Sequence, residues 1–369
     1  MKGDNSKRLM SLDALRGFDM FFIMGGEALL LSLAVLMPDG MASVVREQMG
    51  HKAWDGLAFY DIIFPLFLFL AGVSLPFSLA KQLSKGVGKG SISLKFLRRG
   101  ITLVLLGVLY NGFLQFDFDN MRYASVLGRI GLAWMSAALI YLWAGKRVAV
   151  VVSVVILLGY WALLALVAAP DAPVGASPFS MEGCVVGYVD RLLLPGTLHS
   201  GIHDPEGLLS TLPATVTAML GIFTGDFVRS SAMNGYRKAG TVLAVSAVLL
   251  IVGYLWGMVF PLNKNLWTSS FVCCAGGWSL ALFALFYLVI DVLEWRGWSF
   301  FFRIIGLNSI TIYLAQAFLD FYKPVGSLFG GFIGLLPQNF YAVGYWACYI
   351  MVCWLFLYFL YRKNVFLKV

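Results

Sequence analysis

His51, Asp55 and Asp61 stand together in the stretch His51-Lys-Ala-Trp-Asp-Gly-Leu-Ala-Phe-Tyr-Asp61, where an apolar run begins. A neutral imidazole can take up a proton, and a carboxylate beside it can fix its tautomer and stabilise the imidazolium. The run over 57–80 is long enough to cross a bilayer. That places His51 just outside the membrane and Asp61 just inside it. A carboxylate at membrane depth costs roughly 3 kcal/mol or more, so Asp61 is expected to face protein or water rather than lipid. Proton transfer at a membrane entrance is one reading. The other makes Trp54 and Tyr60 interfacial anchors and His51 an ordinary loop residue.

Further residues have types suited to binding. Glu27 follows Gly25-Gly26 inside the first apolar run, where close helix approach is possible and a carboxylate is rare. Asp13 and Arg16 are three apart, share a helix face and can pair. Arg129, in Val126-Leu-Gly-Arg-Ile-Gly131, needs a carboxylate, a phosphate or water inside a span. Arg98 and Arg99 could hold phosphates. Asp204 and Glu206, in His203-Asp-Pro-Glu-Gly207, suit a helix N-terminus or a ligand. Asn263, Lys264, Asn265 and Trp267 offer amides, one ammonium and one indole. That set suits a sugar or ordinary interfacial polarity. Asn308 and Ser309 can bond across helices or touch a ligand. The three histidines, His51, His199 and His203, lack the spacing of a helical zinc site, so no metal is expected.

The elements that must position these residues are membrane helices. The 369-residue chain is 60% hydrophobic and 12% charged, with mean hydropathy +0.82, far from a soluble domain. Continuous rather than alternating apolar runs exclude a β-barrel. The expectation is an all-α, polytopic integral membrane protein forming a single domain over 1–369. About ten spans are read, at 17–37, 57–80, 98–116, 125–144, 148–169, 207–228, 238–260, 268–293, 300–321 and 341–361. Lys2, Lys7 and Arg8, the basic 81–99 loop, Lys146-Arg147, Arg229 with Arg237-Lys238, Arg296 with Arg303, and Arg362, Lys363 and Lys368 all fall on one side. That side is therefore expected to be cytoplasmic, with both termini inside. The net charge of +8 is spent in these loops and does not suggest nucleic acid. The long 170–206 segment on the opposite side is expected to fold over the outer mouth. The five cysteines show neither metal spacing nor a disulfide framework, and no cleavable signal is expected.

Taken in order, these pieces resemble the heparan-alpha-glucosaminide N-acetyltransferase family. The matching motifs are Arg8-x-x-Ser-Leu-Asp-x-x-Arg-Gly17, His51-x-x-Trp-Asp-Gly with Asp61-x-x-Phe-Pro65, and Val126-Leu-x-Arg-x-Gly131. They continue through Gly187-Tyr-x-Asp-Arg-Leu-Leu-Leu194, Asp204-Pro-Glu-Gly207, Asn263-Lys-Asn-Leu-Trp267 and Asn308-Ser309. The resemblance implies acetyl transfer from cytosolic acetyl-CoA, as co-substrate, to the amine of a glucosamine-type sugar or glycan on the outer side. It makes His51 the active-site histidine, as general base or as acetyl carrier, with Asp55 or Asp61 orienting it. The family's assisting asparagine in the first span has no counterpart in Met24-Gly-Gly-Glu27, which makes Glu27 a candidate replacement. The donor-binding set is read as Arg98, Arg99, Arg129, Asn308 and Ser309. The acceptor-binding set is read as Asp204, Glu206, Asn263, Lys264, Asn265 and Trp267. The family's large N-terminal lumenal domain and the span after it have no counterpart here, so heparan itself is not expected as acceptor. The expected setting is a bacterial inner membrane, with the bilayer and a second copy of the chain as partners. The rival class is a proton-coupled transporter of a sugar or small anion, for which intramembrane Glu27, Asp61 and Arg129 are equally suited.

Overall fold

Residues 9–367 are described by the computed structural model; the expected charges at Lys2, Lys7, Arg8 and Lys368 lie outside them. Each long apolar run folds as a helix, because a helix satisfies its own backbone groups where no water can. The helices are α1 (Met10–Phe21), α2 (Glu27–Ala34), α3 (Asp39–Met49), α4 (Phe59–Ser84), α5 (Lys89–Tyr110), α6 (Val126–Leu166), α7 (Val185–Leu193) and α8 (Thr211–Ser230). They continue as α9 (Gly235–Gly257), α10 (Ser269–Phe286), α11 (Ser299–Leu307), α12 (Ser309–Phe318), α13 (Tyr322–Gly334) and α14 (Gln338–Arg362). Among the described residues there is no strand beyond two isolated bridges, Arg122 to Gly196 and Ala168 to Cys184.

The span count differs from the expected ten. Seven helical stretches are long and apolar enough to cross a membrane, or eight if the bent pair α11–α12 is one span. All ten expected segments do fall on helices, and the discrepancy has local causes. The expected spans at 125–144 and 148–169 both belong to α6, interrupted at Gly145, whose φ of 75° and ψ of 174° are not helical. A residue with a Cβ resists that left-handed conformation, so the break sits on a glycine. The expected 98–116 span falls on α5, which also takes in Lys89, Lys95, Arg98 and Arg99 and is too charged to count.

Side-chain caps mark where two of the long helices begin. Ser125 accepts from the Gly128 amide at 3.0 Å at the start of α6, and Asn234 accepts from the Arg237 amide at 2.9 Å at the start of α9. Helices α4 and α8 pack face to face. A Cβ on Gly221 would fall 2.0 Å from the Phe69 carbonyl oxygen, so only glycine allows that approach. The core between α4, α6 and α8 is apolar, with Leu68, Ala133, Ala218 and Met219 fully buried. All five cysteines are free and buried.

The 170–206 segment carries α7 and is tied down along its length. The Ala169 amide donates to Gly183 at 2.9 Å, Arg191 bonds Asp171 at 2.8 Å, and the Thr197 amide donates to Met121 at 3.1 Å. The last bond joins it to the connection between α5 and α6.

Candidate functional site

Asp61 sits in the first turn of α4, fully buried. One carboxylate oxygen accepts from the backbone amides of Ala58, at 3.0 Å, and Lys52, at 3.3 Å. The other lies 2.8 Å from Nδ1 of His51. A carboxylate only accepts, so the neutral imidazole carries its proton on Nδ1 and leaves the Nε2 lone pair unengaged by Asp61. The same carboxylate thus caps α4 and orients the histidine, which explains why the pair straddles a helix start. The His51 side chain is 51% exposed and the Asp61 side chain 0%, so the proton-accepting edge is open while its orienting partner is sealed.

Two further groups meet His51. The Tyr60 ring lies 4.8 Å away between centroids, and Tyr60 in turn bonds the Glu27 carboxylate. Lys264 Nζ lies 3.0 Å from Nδ1 and 3.2 Å from Nε2, and 3.6 Å from the Asp61 carboxylate. Asp55 does not orient the histidine. It accepts from the Asn263 amide at 3.1 Å, and Asn263 accepts from the Leu266 amide at 2.8 Å. Asn265 donates to the Ala53 carbonyl at 3.1 Å. The two asparagines therefore stitch the α9–α10 connection to the His51 loop, and that stitching delivers Lys264 to the imidazole.

These groups open on a cavity of about 470 Å³. Its polar lining includes His51, Lys264, Asn265, Arg122, His199 and Glu206, and its less polar lining includes Met20, Ile23, Phe67, Ile130, Ile310 and Tyr313. Of the expected acceptor set, Lys264, Asn265 and Glu206 line it. Asp204, Asn263 and Trp267 do not. All three are buried, and the Trp267 indole donates to Thr217 at 3.2 Å.

Arg122 was not among the sequence candidates. It makes a bidentate pair with Asp204, at 2.7 and 2.6 Å, and also bonds Glu206. Asp204 further accepts from the His199 and Glu206 amides at 3.0 and 2.9 Å. Burial alone would raise the Asp204 carboxyl, but the Arg122 bonds and charge outweigh it and hold it below the ordinary range. The one sequence signal was position: Arg122 is a lone basic residue in a connection on the side otherwise poor in arginine.

Arg129 is 1% exposed in the first turn of α6, donating to the Gly207 carbonyl at 3.2 Å and to the Ser210 hydroxyl. It lies over the Trp267 ring, 5.0 Å from the centroid. It therefore belongs to the His51 end of the bundle, whereas Arg98 and Arg99 lie midway along α5. Arg98 is exposed, and Arg99 packs over Trp134 at 4.2 Å, within electrostatic reach of Arg16. Asp13 and Arg16 approach to 3.7 Å. Asn308 stands at the 67° bend between α11 and α12, donating to the Val365 carbonyl at 3.1 Å, with Ser309 buried beside it. Among the described residues no group of three potential metal ligands converges.

Behind the Arg122 cluster His203 is fully buried, its ring 5.3 Å from that of Trp54. Burial pushes its imidazole down to about 4 and the neighbouring Asp190 carboxyl up to about 6. The two act oppositely on stability. Between pH 6.5 and 4 the unfolded chain binds more protons at His203 than the folded one, so acidification destabilises through that residue. At Asp190 the folded chain binds more protons between pH 6 and 3.8, so acidification stabilises. His203→Phe should therefore gain stability over the parent as pH falls from 7 to 5, by ~2 kcal/mol at pH 5. Thermal midpoints in detergent at both pH values measure this; a difference independent of pH would contradict it.

No protein-family model matches the chain. It is 27% identical to human heparan-alpha-glucosaminide N-acetyltransferase over a 425-position alignment that covers 98% of this chain and 60% of that protein. The mouse protein of the same name is 27% identical over 378 positions, covering 86% of this chain and 56% of its own length. The chain thus spans somewhat over half the length of the curated relatives it matches. Over most of its length, and with helices of membrane-spanning length, the chain is thus similar to two proteins named heparan-alpha-glucosaminide N-acetyltransferase.

Proposed function

We propose that this protein is a membrane-embedded acetyltransferase that moves an acetyl group from acetyl-CoA to the amine of a glucosamine-type sugar. The observation that carries this is the His51–Asp61 pair, joined at 2.8 Å and opening on the cavity. The lining of the cavity offers surface for both substrates: its apolar residues suit the acyl-bearing arm of the donor, and Glu206, Asn265 and His199 suit a hydroxylated amine. The donor's phosphates would lie toward Arg98 and Arg99, with the His51 end facing outward across a bacterial inner membrane. Arg129 is reassigned from the donor to holding the 207–210 turn, because it bonds Gly207 and Ser210.

In the transfer, His51 Nε2 removes a proton from the acceptor nitrogen as that nitrogen bonds the acetyl carbonyl carbon. Asp61 holds the imidazole in the required tautomer and stabilises the imidazolium that forms. As the carbon–sulfur bond breaks, His51 returns the proton to the departing thiolate, so an amide and a thiol replace an amine and a thioester. Tyr60 and Glu27 stand behind the imidazole and restrict its orientation. The test is acetyl transfer to glucosamine by the detergent-purified protein, read by product mass, alongside thermal stabilisation by acetyl-CoA. Stabilisation together with product supports the reading. A protein that acetyl-CoA does not stabilise and that forms no product is not an acetyltransferase.

A further inference from the structure

The position of Lys264 against His51 is not that of a hydrogen-bonded partner. The N–H of Nδ1 and the lone pair of Nε2 lie in the ring plane and diverge. A donor 3.0 Å from one and 3.2 Å from the other cannot lie along either, and an in-plane position between them would collide with the ring carbon. The ammonium therefore sits over the imidazole face. There it is attracted to a neutral ring and repelled by an imidazolium. The lysine is held in place from two directions. Asp61 attracts it at 3.6 Å, and the Asn263 and Asn265 bonds to Asp55 and Ala53 fix the backbone on either side of it.

The other groups around the ring do not supply this function. Asp61 and Tyr60 approach from α4, with Glu27 behind Tyr60. Lys52 turns away to Glu47 of α3 at 2.6 Å. Arg122, His199 and Glu206 stand elsewhere around the same cavity, and Arg122 is engaged by Asp204 and Glu206. Asp61 on its own would favour a protonated His51, which can accept nothing. A cation on the ring face counters it.

We infer that Lys264 is a positioning residue that tunes His51 rather than a sugar ligand: its ammonium over the ring keeps the imidazole unprotonated and Nε2 available as a base. Burial pulls the ammonium below the ordinary lysine range, and the Asp61 and Glu206 carboxylates act against that pull. The catalytic consequence rests on the acetyltransferase reading; the charge relation between Lys264 and His51 does not.

The experiment uses diethyl pyrocarbonate, which acylates a histidine ring only in its neutral form. Labelling of the His51 peptide is followed by mass from pH 5 to 8 on the folded protein isolated by size exclusion, in the parent and in Lys264→Met, Lys264→Gln and Lys264→Arg. Removing the cation should move the labelling midpoint of His51 up by about one pH unit. Lys264→Arg, which keeps the charge, should stay with the parent. Lys264→Gln provides the uncharged comparison should Lys264→Met not fold. In parallel, the acidic limb of the kcat/KM profile should shift by the same amount, with the acceptor KM unchanged. An unmoved midpoint in the uncharged variants overturns the inference. So does a raised acceptor KM with an unmoved limb, which would make Lys264 a sugar ligand. A parent that labels as expected but transfers no acetyl overturns the acetyltransferase reading and leaves the Lys264 relation standing.

Discussion

His51→Ala is expected to lose acetyl transfer by roughly 10²–10⁴-fold, the range for removal of a general base. The expectation follows from three placements: Nδ1 on Asp61 at 2.8 Å, Nε2 unengaged by that carboxylate, and the ring in the lining of the cavity. None of the other histidines can replace it. His203 is fully buried and held neutral far below its usual range. His199 lines the cavity, but it is its backbone amide that donates to Asp204. His199→Ala should therefore retain substantial turnover. Stability of His51→Ala should change little, because the lost side chain is half exposed and Asp61 keeps both backbone amides and Lys264. Turnover with glucosamine, acetyl-CoA stabilisation and the thermal midpoint, measured on each variant, decide it. Parental turnover in His51→Ala would displace the site.

Arg122→Met should instead cost stability, by roughly 3–5 kcal/mol, since removing one partner of a buried pair strands the other. The stranded groups are Asp204, fully buried, and Glu206, nearly so. Asp204 would keep its two backbone amides and lose the guanidinium that holds it ionised. Arg122 also anchors the α5–α6 connection to the 196–207 strap, so the cavity wall at His199 and Glu206 should loosen with it. The expected result is a large fall in thermal midpoint, partly restored in Arg122→Met/Asp204→Asn, because the double variant strands one carboxylate, Glu206, instead of two. A midpoint unchanged in Arg122→Met would show that the cluster is solvated and carries little. Arg122→Lys should recover only part, since a single ammonium cannot repeat the bidentate contact.

The placement of the helices along the chain was largely legible. Long apolar runs leave the backbone no alternative to helix, so each expected segment falls on one, and even the α6 break at Gly145 lies between two expected spans. What failed was the equation of a helix with a span. Helix α5 carries its basic residues within its own length, and hydropathy cannot say where the bilayer meets it. The His51–Asp61 pairing was half legible. Two acids lay within reach, and spacing alone could not choose between them. The choice fell to Asp61 because the first turn of α4 aims its carboxylate back over the loop, while Asp55 turns to Asn263.

By itself the sequence determined an all-helical membrane protein and the neighbourhood of its reactive histidine, since both depend on local patterns: apolar runs, and polar residues where those runs begin. Tertiary structure alone decided which charges meet. Arg122 reaches Asp204 across 82 residues of chain, and Lys264 reaches His51 across 213. Residues so far apart carry no mutual spacing for a pattern to reveal. Their encounter depends on how α4, α6, α8 and α10 pack, and burial then makes a missing partner costly.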